Sequence, residues 1–256
     1  MSNKKEREKR REERLQEETK VDAGERRTRL LQFGAGAIFL VIVAVVVLIV
    51  ASSGGSSGGG DATNLKEVSQ VDSLVGGSPQ NEMVLGKPAA KVELMEYGDL
   101  QCPICKEYSE EILPQVIENQ VDGGQAKISF NNFTIIGEQS APAGAAALAA
   151  GAQGRGWNYL ELFYRNQGEE NSGYATDEFL EAVAKAAGVK DIAKWNKERK
   201  GKKFTDQVTE TTERAEEYGF TGTPSFAIKG PSTNGIELLG NPTTPEEFEE
   251  AIEKAS

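Results

Sequence analysis

Two cysteines, Cys102 and Cys105, are the only ones in the chain, and they stand three positions apart in GDLQCPICKEY (98 to 108). The C-x-x-C spacing suits a thiol pair that opens and closes a disulfide, with one thiolate attacking and its neighbour close enough to resolve the mixed disulfide. A zinc site needs about four Cys or His ligands. The chain has 2 Cys and no His, which leaves no set for an intrachain metal site and calls for no cofactor. A structural disulfide closing so short a loop would restrict the unfolded chain little. Two unrelated free thiols are the remaining alternative.

The flanks favour the redox reading. AKVELMEY (90 to 97) has the composition of a strand, and Ile104, Tyr108, Ile112, Val116 and Ile117 recur at helical spacing after the motif. Cys102 then falls at a helix cap, Pro103 at the first helical position where a missing N–H is harmless, and Cys105 in the first turn. Unsatisfied N–H groups and the positive end of the helix would stabilise a Cys102 thiolate. Without histidine, the commonest general base near neutral pH is absent, so chemistry must run on thiols, carboxylates, Lys, Tyr or hydroxyls.

The surrounding chain suggests where this motif works. Leu30 to Ala51 (LLQFGAGAIFLVIVAVVVLIVA) runs 22 residues without a charge, long enough for a transmembrane helix. Arg26, Arg27 and Arg29 precede it, whereas SSGGSSGGG follows, so the N-terminus is expected to be cytoplasmic and the rest extracytoplasmic. A cleaved signal peptide is the alternative, with Ile49 and Ala51 near a cleavage site, although the apolar run is longer than a usual signal core. Disulfides persist outside the reducing cytosol, which supports the redox reading in turn.

Residues 1 to 29 carry 11 Lys and Arg against 8 Asp and Glu, and read as a solvated charged tail. The remaining residues carry 18 against 32, so the acidic part lies beyond the anchor; the chain's net charge of −11 gives no footprint for nucleic acid. Residues 52 to 82 read as a flexible Ser/Gly-rich linker, and 83 to 256 as the folded domain. Within it, 127 to 133 reads as a strand, and 141 to 152 and 176 to 187 as helices. Trp157, Leu160 and Tyr164 share a helical face; 202 to 218 is a further helix, and Pro114 is expected to kink the helix after the cysteines. SFAIK (225 to 229) and 236 to 239 read as strands, and Thr244, Pro245 and Glu247 open a final helix.

GKPAAKVELMEYGDLQCPIC (86 to 105) resembles the start of the DsbA-like thioredoxin-fold thiol-disulfide oxidoreductases, and GFTGTPSFAI (219 to 228) resembles their later Thr-Pro loop. The stretch 141 to 167 is similar to the beginning of that family's helical insertion. The resemblance implies an α/β thioredoxin fold with a helical insertion at about 139 to 218; with the transmembrane helix read above preceding it, the chain is expected to be a membrane-anchored bacterial member. It implies that Cys102 is the nucleophile and Cys105 the resolving cysteine. Thr223-Pro224 would carry a cis peptide bond facing them, where residue pattern alone would give an ordinary trans turn.

The backbone of Thr223 would then pair with extended substrate. Glu96, six residues before Cys102, would be a buried acid exchanging protons with Cys105, its alternative being a solvated strand residue. The resemblance also implies cysteine-containing protein substrates and a membrane redox partner of the DsbB or VKOR kind. One departure bears on direction. The strongest oxidants of the family place Pro-His between the cysteines, and Pro103-Ile104 offers no imidazole. A reductase or isomerase of the same fold, or a redox-inert peptide-binding domain, are the other functions considered.

Overall fold

A computed structural model describes residues 64–256. The expected tail and transmembrane helix, and residues 52–63 of the expected linker, lie outside the described residues. Among the described residues no helix is long and apolar enough to cross a membrane.

The element order is α1 (Val68–Val75), β1 (Gln80–Asn81), β2 (Val84–Leu85), β3 (Val92–Gly98), a helix α2 over 103–121, and β4 (Ala126–Asn132). The helices α3 (Ser140–Gly151), α4 (Gly156–Arg165), α5 (Asp177–Ala186), α6 (Ile192–Arg199) and α7 (Lys202–Glu217) follow, and then β5 (Ser225–Lys229), β6 (Glu237–Leu239) and α8 (Pro245–Ala255). The sheet order is β1-β2-β4-β3-β5-β6, with β3 parallel to β4 and antiparallel to β5. This is the expected thioredoxin arrangement with α3 to α7 inserted between β4 and β5.

The period-two alternation of β3 decides what lies under the cysteines. Leu94 packs into the main core with the inward residues of α2, while Met95 and Tyr97 point the other way, into a smaller cluster with Phe133, Ala215 and Ala227. Glu96 shares the parity of Leu94 and so joins the α2 side. Gly98 ends the strand where a Cβ would come within 2.7 Å of the Phe130 ring.

Folding begins earlier than position 83. Val71 and Val75 of α1 are fully buried in the main core, so 64–82 is a folded segment rather than linker. Its low hydrophobicity conceals a short stripe, Val68, Val71 and Val75, that is sufficient once a partner surface is present. Helix α6 also had no visible pattern, because only Trp195 and Arg199 of IAKWNKER are buried. The expected kink at Pro114 takes the form of widened turns. Tyr108–Ile112 and Ile117–Val121 are π-type turns on either side of Leu113–Val116, and Leu113 N–H bonds to Tyr108 O. Proline cannot donate to the helix, and the wider turn absorbs that.

The insertion is held by close packing and two indole pins. Helix α3 is buried almost all round, as its alanines allow, and Gly144 leaves no room for a Cβ against Asn132. The Trp157 and Trp195 indoles donate to Met83 O and Ala146 O, each at 2.9 Å. Helix α5 starts at Thr176, whose hydroxyl accepts from Phe179 N–H at 3.2 Å. Thr176→Ala is expected to lower stability by about 1 kcal/mol in a denaturant titration.

Candidate active site

The loop between β3 and α2 is shaped by one aspartate. Asp99 is fully buried; its Oδ1 accepts from Gln101 N–H at 2.9 Å, and its Oδ2 accepts from Ile135 N–H at 2.9 Å and Ile136 N–H at 3.0 Å. The Asp99 carbonyl accepts from Cys102 N–H at 2.9 Å and from the Tyr164 hydroxyl at 3.3 Å. From across the insertion, the Gln167 side-chain amide donates to Leu100 O at 2.7 Å and Cys102 O at 3.1 Å. The loop is thereby tied to both the post-β4 segment and the end of α4.

Cys102 caps α2 with extended backbone, and Pro103 occupies the first helical position. Its sulfur accepts from Cys105 N–H at 3.3 Å and lies 3.3 Å from Thr223 O. Thr223-Pro224 is a cis peptide, so the loop before β5 faces the sulfur as expected. Both thiols are free and buried, with Cys102 3% exposed and Cys105 0%.

The two thiols are driven apart. A hydrogen bond from Cys105 is the largest influence lowering Cys102 to about 6, helped by Thr223 and by the N–H groups of Cys105 and Ile104, with burial opposing. Cys105 is pushed well above the ordinary thiol value, chiefly by burial and then by its neighbour Cys102. Near pH 7 one sulfur is a thiolate and the other a thiol, the division that directional exchange needs. Capture of Cys102 by iodoacetamide should therefore follow a midpoint near pH 6 and fall about tenfold per pH unit below it. A midpoint near 9 would contradict the thiolate environment.

Glu96 is 1% exposed, with neither carboxyl oxygen hydrogen-bonded, which excludes the solvated alternative. Burial first, then the charges of Glu161 and Cys102, raise it to about 8. A carboxyl so placed is able to keep or release a proton near neutral pH. Ile104 is 50% exposed beside the sulfur and brings no polar group. Tyr108 donates to Pro242 O at 2.7 Å and stacks on Phe226 at 5.5 Å, fixing the 240–243 segment alongside α2.

Sequence reasoning found Cys102, Cys105, Pro103, Ile104, Glu96, Thr223 and Pro224, and the structure gathers them around one sulfur pair. It missed Asp99, Tyr164, Gln167, Ser109 and Glu161. Asp99, three residues before a helix cap, could have been recognised as a local acceptor for backbone N–H groups. The others lie 50 to 70 residues away or on an ordinary helix face, with no local signal.

The thioredoxin family model matches residues 78–254. Disulfide bond formation protein D of Bacillus subtilis is 27% identical over 193 residues, covering 73% of this chain and 84% of that protein. The crystal structure of oxidised BdbD from Bacillus subtilis aligns with TM-score 0.60 at 24% identity, covering 71% of this chain and 94% of that one. That of Wolbachia pipientis alpha-DsbA1 aligns with TM-score 0.58 at 21% identity, over 68% and 90%. These structural likenesses speak to the fold.

Proposed function

The chain belongs to the thioredoxin family as a DsbA-like thiol-disulfide oxidoreductase, and from that premise we propose that it oxidises cysteine pairs of extracytoplasmic proteins through Cys102 and Cys105 while anchored in the membrane by residues 30–51. The observation that carries the reading is the asymmetry of the pair: Cys102, lowered to about 6 at the helix cap, faces the Thr223-Pro224 loop, while Cys105 is sealed above Glu96.

In this reading a substrate thiolate attacks Cys102 Sγ of the enzyme disulfide. The S–S bond breaks, and Cys105 leaves with the electron pair and takes a proton that Glu96 can supply. The substrate's second thiolate then attacks its own sulfur in the mixed disulfide, and Cys102 departs as the low-pKa leaving group. Two electrons pass from substrate to enzyme; the substrate's thiol protons go to solvent, Cys105 keeps the proton from Glu96, Cys102 is left as a thiolate near pH 7, and Glu96 is reprotonated from solvent. If Cys105 attacks the mixed disulfide instead, the enzyme disulfide re-forms and the substrate leaves reduced. Thr223 backbone holds the substrate strand by β-augmentation. The dithiol enzyme would be reoxidised by a membrane partner of the DsbB or VKOR kind.

The decisive experiment equilibrates the purified full-length chain with glutathione buffers and reads the pair by thiol alkylation. A potential near about −120 mV supports an oxidase, and one near about −270 mV supports a reductase. A pair that never exchanges would leave the peptide-binding alternative.

Ile104 favours a second reading, a weaker oxidant or a reductase, because its side chain gives the thiolate no charge or hydrogen bond, leaving only its backbone N–H. Ile104→His is accordingly expected to make the potential more positive. Each pKa unit by which Cys102 falls is about 1.4 kcal/mol, or about 30 mV for a two-electron couple. A potential unchanged in the histidine variant would show that the dipeptide does not tune this pair.

A further inference from the structure

Four residues after Cys105, on the same inward face of α2, stands Ser109, which is 1% exposed. Its hydroxyl donates to Glu161 Oε2 of α4 at 2.9 Å, and the Arg165 guanidinium pairs with the same oxygen. Glu161 is fully buried and its other oxygen, Oε1, has no partner. The Arg165 fork is shared: its Nε lies 3.3 Å from Glu67 Oε2, and Glu67 comes from the segment that precedes α1. The buried compartment beneath the disulfide motif therefore brings in two carboxyls that act on each other, Glu96 and Glu161, with one guanidinium beside Glu161 that is already divided between two acids.

Two buried carboxyls cannot both ionise against so little positive charge without a large desolvation penalty. The hydrogen bonds decide which one does. Glu161 has a cation and a hydroxyl on its ionisable oxygen, whereas both oxygens of Glu96 are bare. We propose that Glu161 is a positioning residue for thiol-disulfide exchange: fixed by Ser109 and Arg165 one turn beneath Cys105, it carries the compartment's negative charge and so keeps the proton on Glu96, where Cys105 can draw it when the disulfide opens.

This deepens, and rests on, the reading of Cys102 and Cys105 as the exchanging pair served by Glu96. The surrounding charges agree with it. Glu96 also faces Cys102 and Cys105 of α2 and Tyr164 of α4, and after burial Glu161 is the strongest influence raising it. Glu161 is itself raised by burial and by Glu110 of α2, while Arg165 and Ser109 hold it down. Among the described residues no cation is a leading influence on Glu96.

The test is carried out on the oxidised full-length chain, in which neither thiol titrates. With glutamate labelled at the side-chain carboxyl carbon, the Glu96 signal is assigned by its loss in Glu96→Gln and followed against pH by NMR. Glu161→Gln is expected to move the Glu96 midpoint down by at least one pH unit, a tenfold loss of proton affinity. If that variant fails to fold with Arg165 deprived of its buried partner, Glu161→Gln combined with Arg165→Met removes both charges, and a smaller shift in the same direction is expected. A midpoint that stays in place or rises in either folded variant overturns the proposal. Glutathione exchange measured on the same samples separates the two ideas: wild-type protein that titrates normally but never exchanges sinks the enzymatic reading, while normal exchange with an unmoved titration sinks this inference alone.

Discussion

Cys102→Ser is expected to abolish exchange completely, whereas Cys105→Ser should leave a protein that reacts once and stays bound to its substrate. The difference follows from the sulfur environments. Cys102 sits at the cap of α2 with its sulfur accepting from Cys105 N–H, at the opening bounded by Thr223 and exposed Ile104. A serine hydroxyl there is neither ionised near pH 7 nor able to form a disulfide, so no residual pathway exists through Cys105, which is fully buried and held as a thiol. In the Cys105→Ser protein the low thiol pKa of Cys102 persists in part, and a mixed disulfide can form. With Cys105 gone and no second thiol on the substrate, nothing resolves it, so it should accumulate. Non-reducing electrophoresis after incubation with a one-cysteine protein whose thiol carries thionitrobenzoate reads both outcomes, because Cys102 displaces the thionitrobenzoate thiolate and the resulting adduct persists where Cys105 is absent. Turnover by Cys102→Ser, or absence of a trapped adduct with Cys105→Ser, would reverse the assignment of nucleophile and resolving thiol.

How much of this was legible in the sequence depends on how far apart the cooperating residues are along the chain. Cap, proline and second cysteine lie within four positions, and their geometry follows from the rules that govern helix starts. Strands β3, β4 and β5 and the helices α5, α7 and α8 show in hydrophobic period, whereas α3, buried almost all round, shows in its run of alanines. Helix α1 did not, since two fully buried valines among eight residues give a face only when α4 and α2 supply the other side. The long-range ties of the site were invisible for the same reason. Gln167 reaches the carbonyls of Leu100 and Cys102 only because α4 ends beside the motif loop, and nothing in NQG announces it. Glu161 lies on the face that Trp157, Leu160 and Tyr164 share, but its residue type argues for solvent, and its burial is made tolerable by Arg165 one turn later. Local chemistry was therefore readable, while the supporting residues emerged from tertiary packing.

The second large effect concerns stability and argues that Glu96 is retained for chemistry. Its carboxyl is raised from 4.5 to about 8 in the folded protein. Between these values the folded state holds a proton that the unfolded state has released, so stability falls as pH rises, by about 1.4 kcal/mol per unit. The stabilising proton is fully present below pH 4.5 and its contribution is lost through pH 8, a total on the order of 5 kcal/mol. Glu96→Gln removes the titration and should flatten the dependence. The variant is expected to gain stability over wild type steadily from pH 5 to pH 8, by several kcal/mol at the upper end. Urea unfolding of the oxidised proteins at the two pH values measures it, with the disulfide intact so that thiol ionisation does not contribute. Equal pH slopes in wild type and variant would place Glu96 outside the low-dielectric compartment and remove it from the proton path. If the slopes differ as expected, the same variant should exchange more slowly, because Cys105 would leave the opened disulfide with no proton to take from beneath it. A residue that weakens the fold in the pH range where it speeds exchange is held there by its reaction, and the stability gained on its replacement measures how strongly.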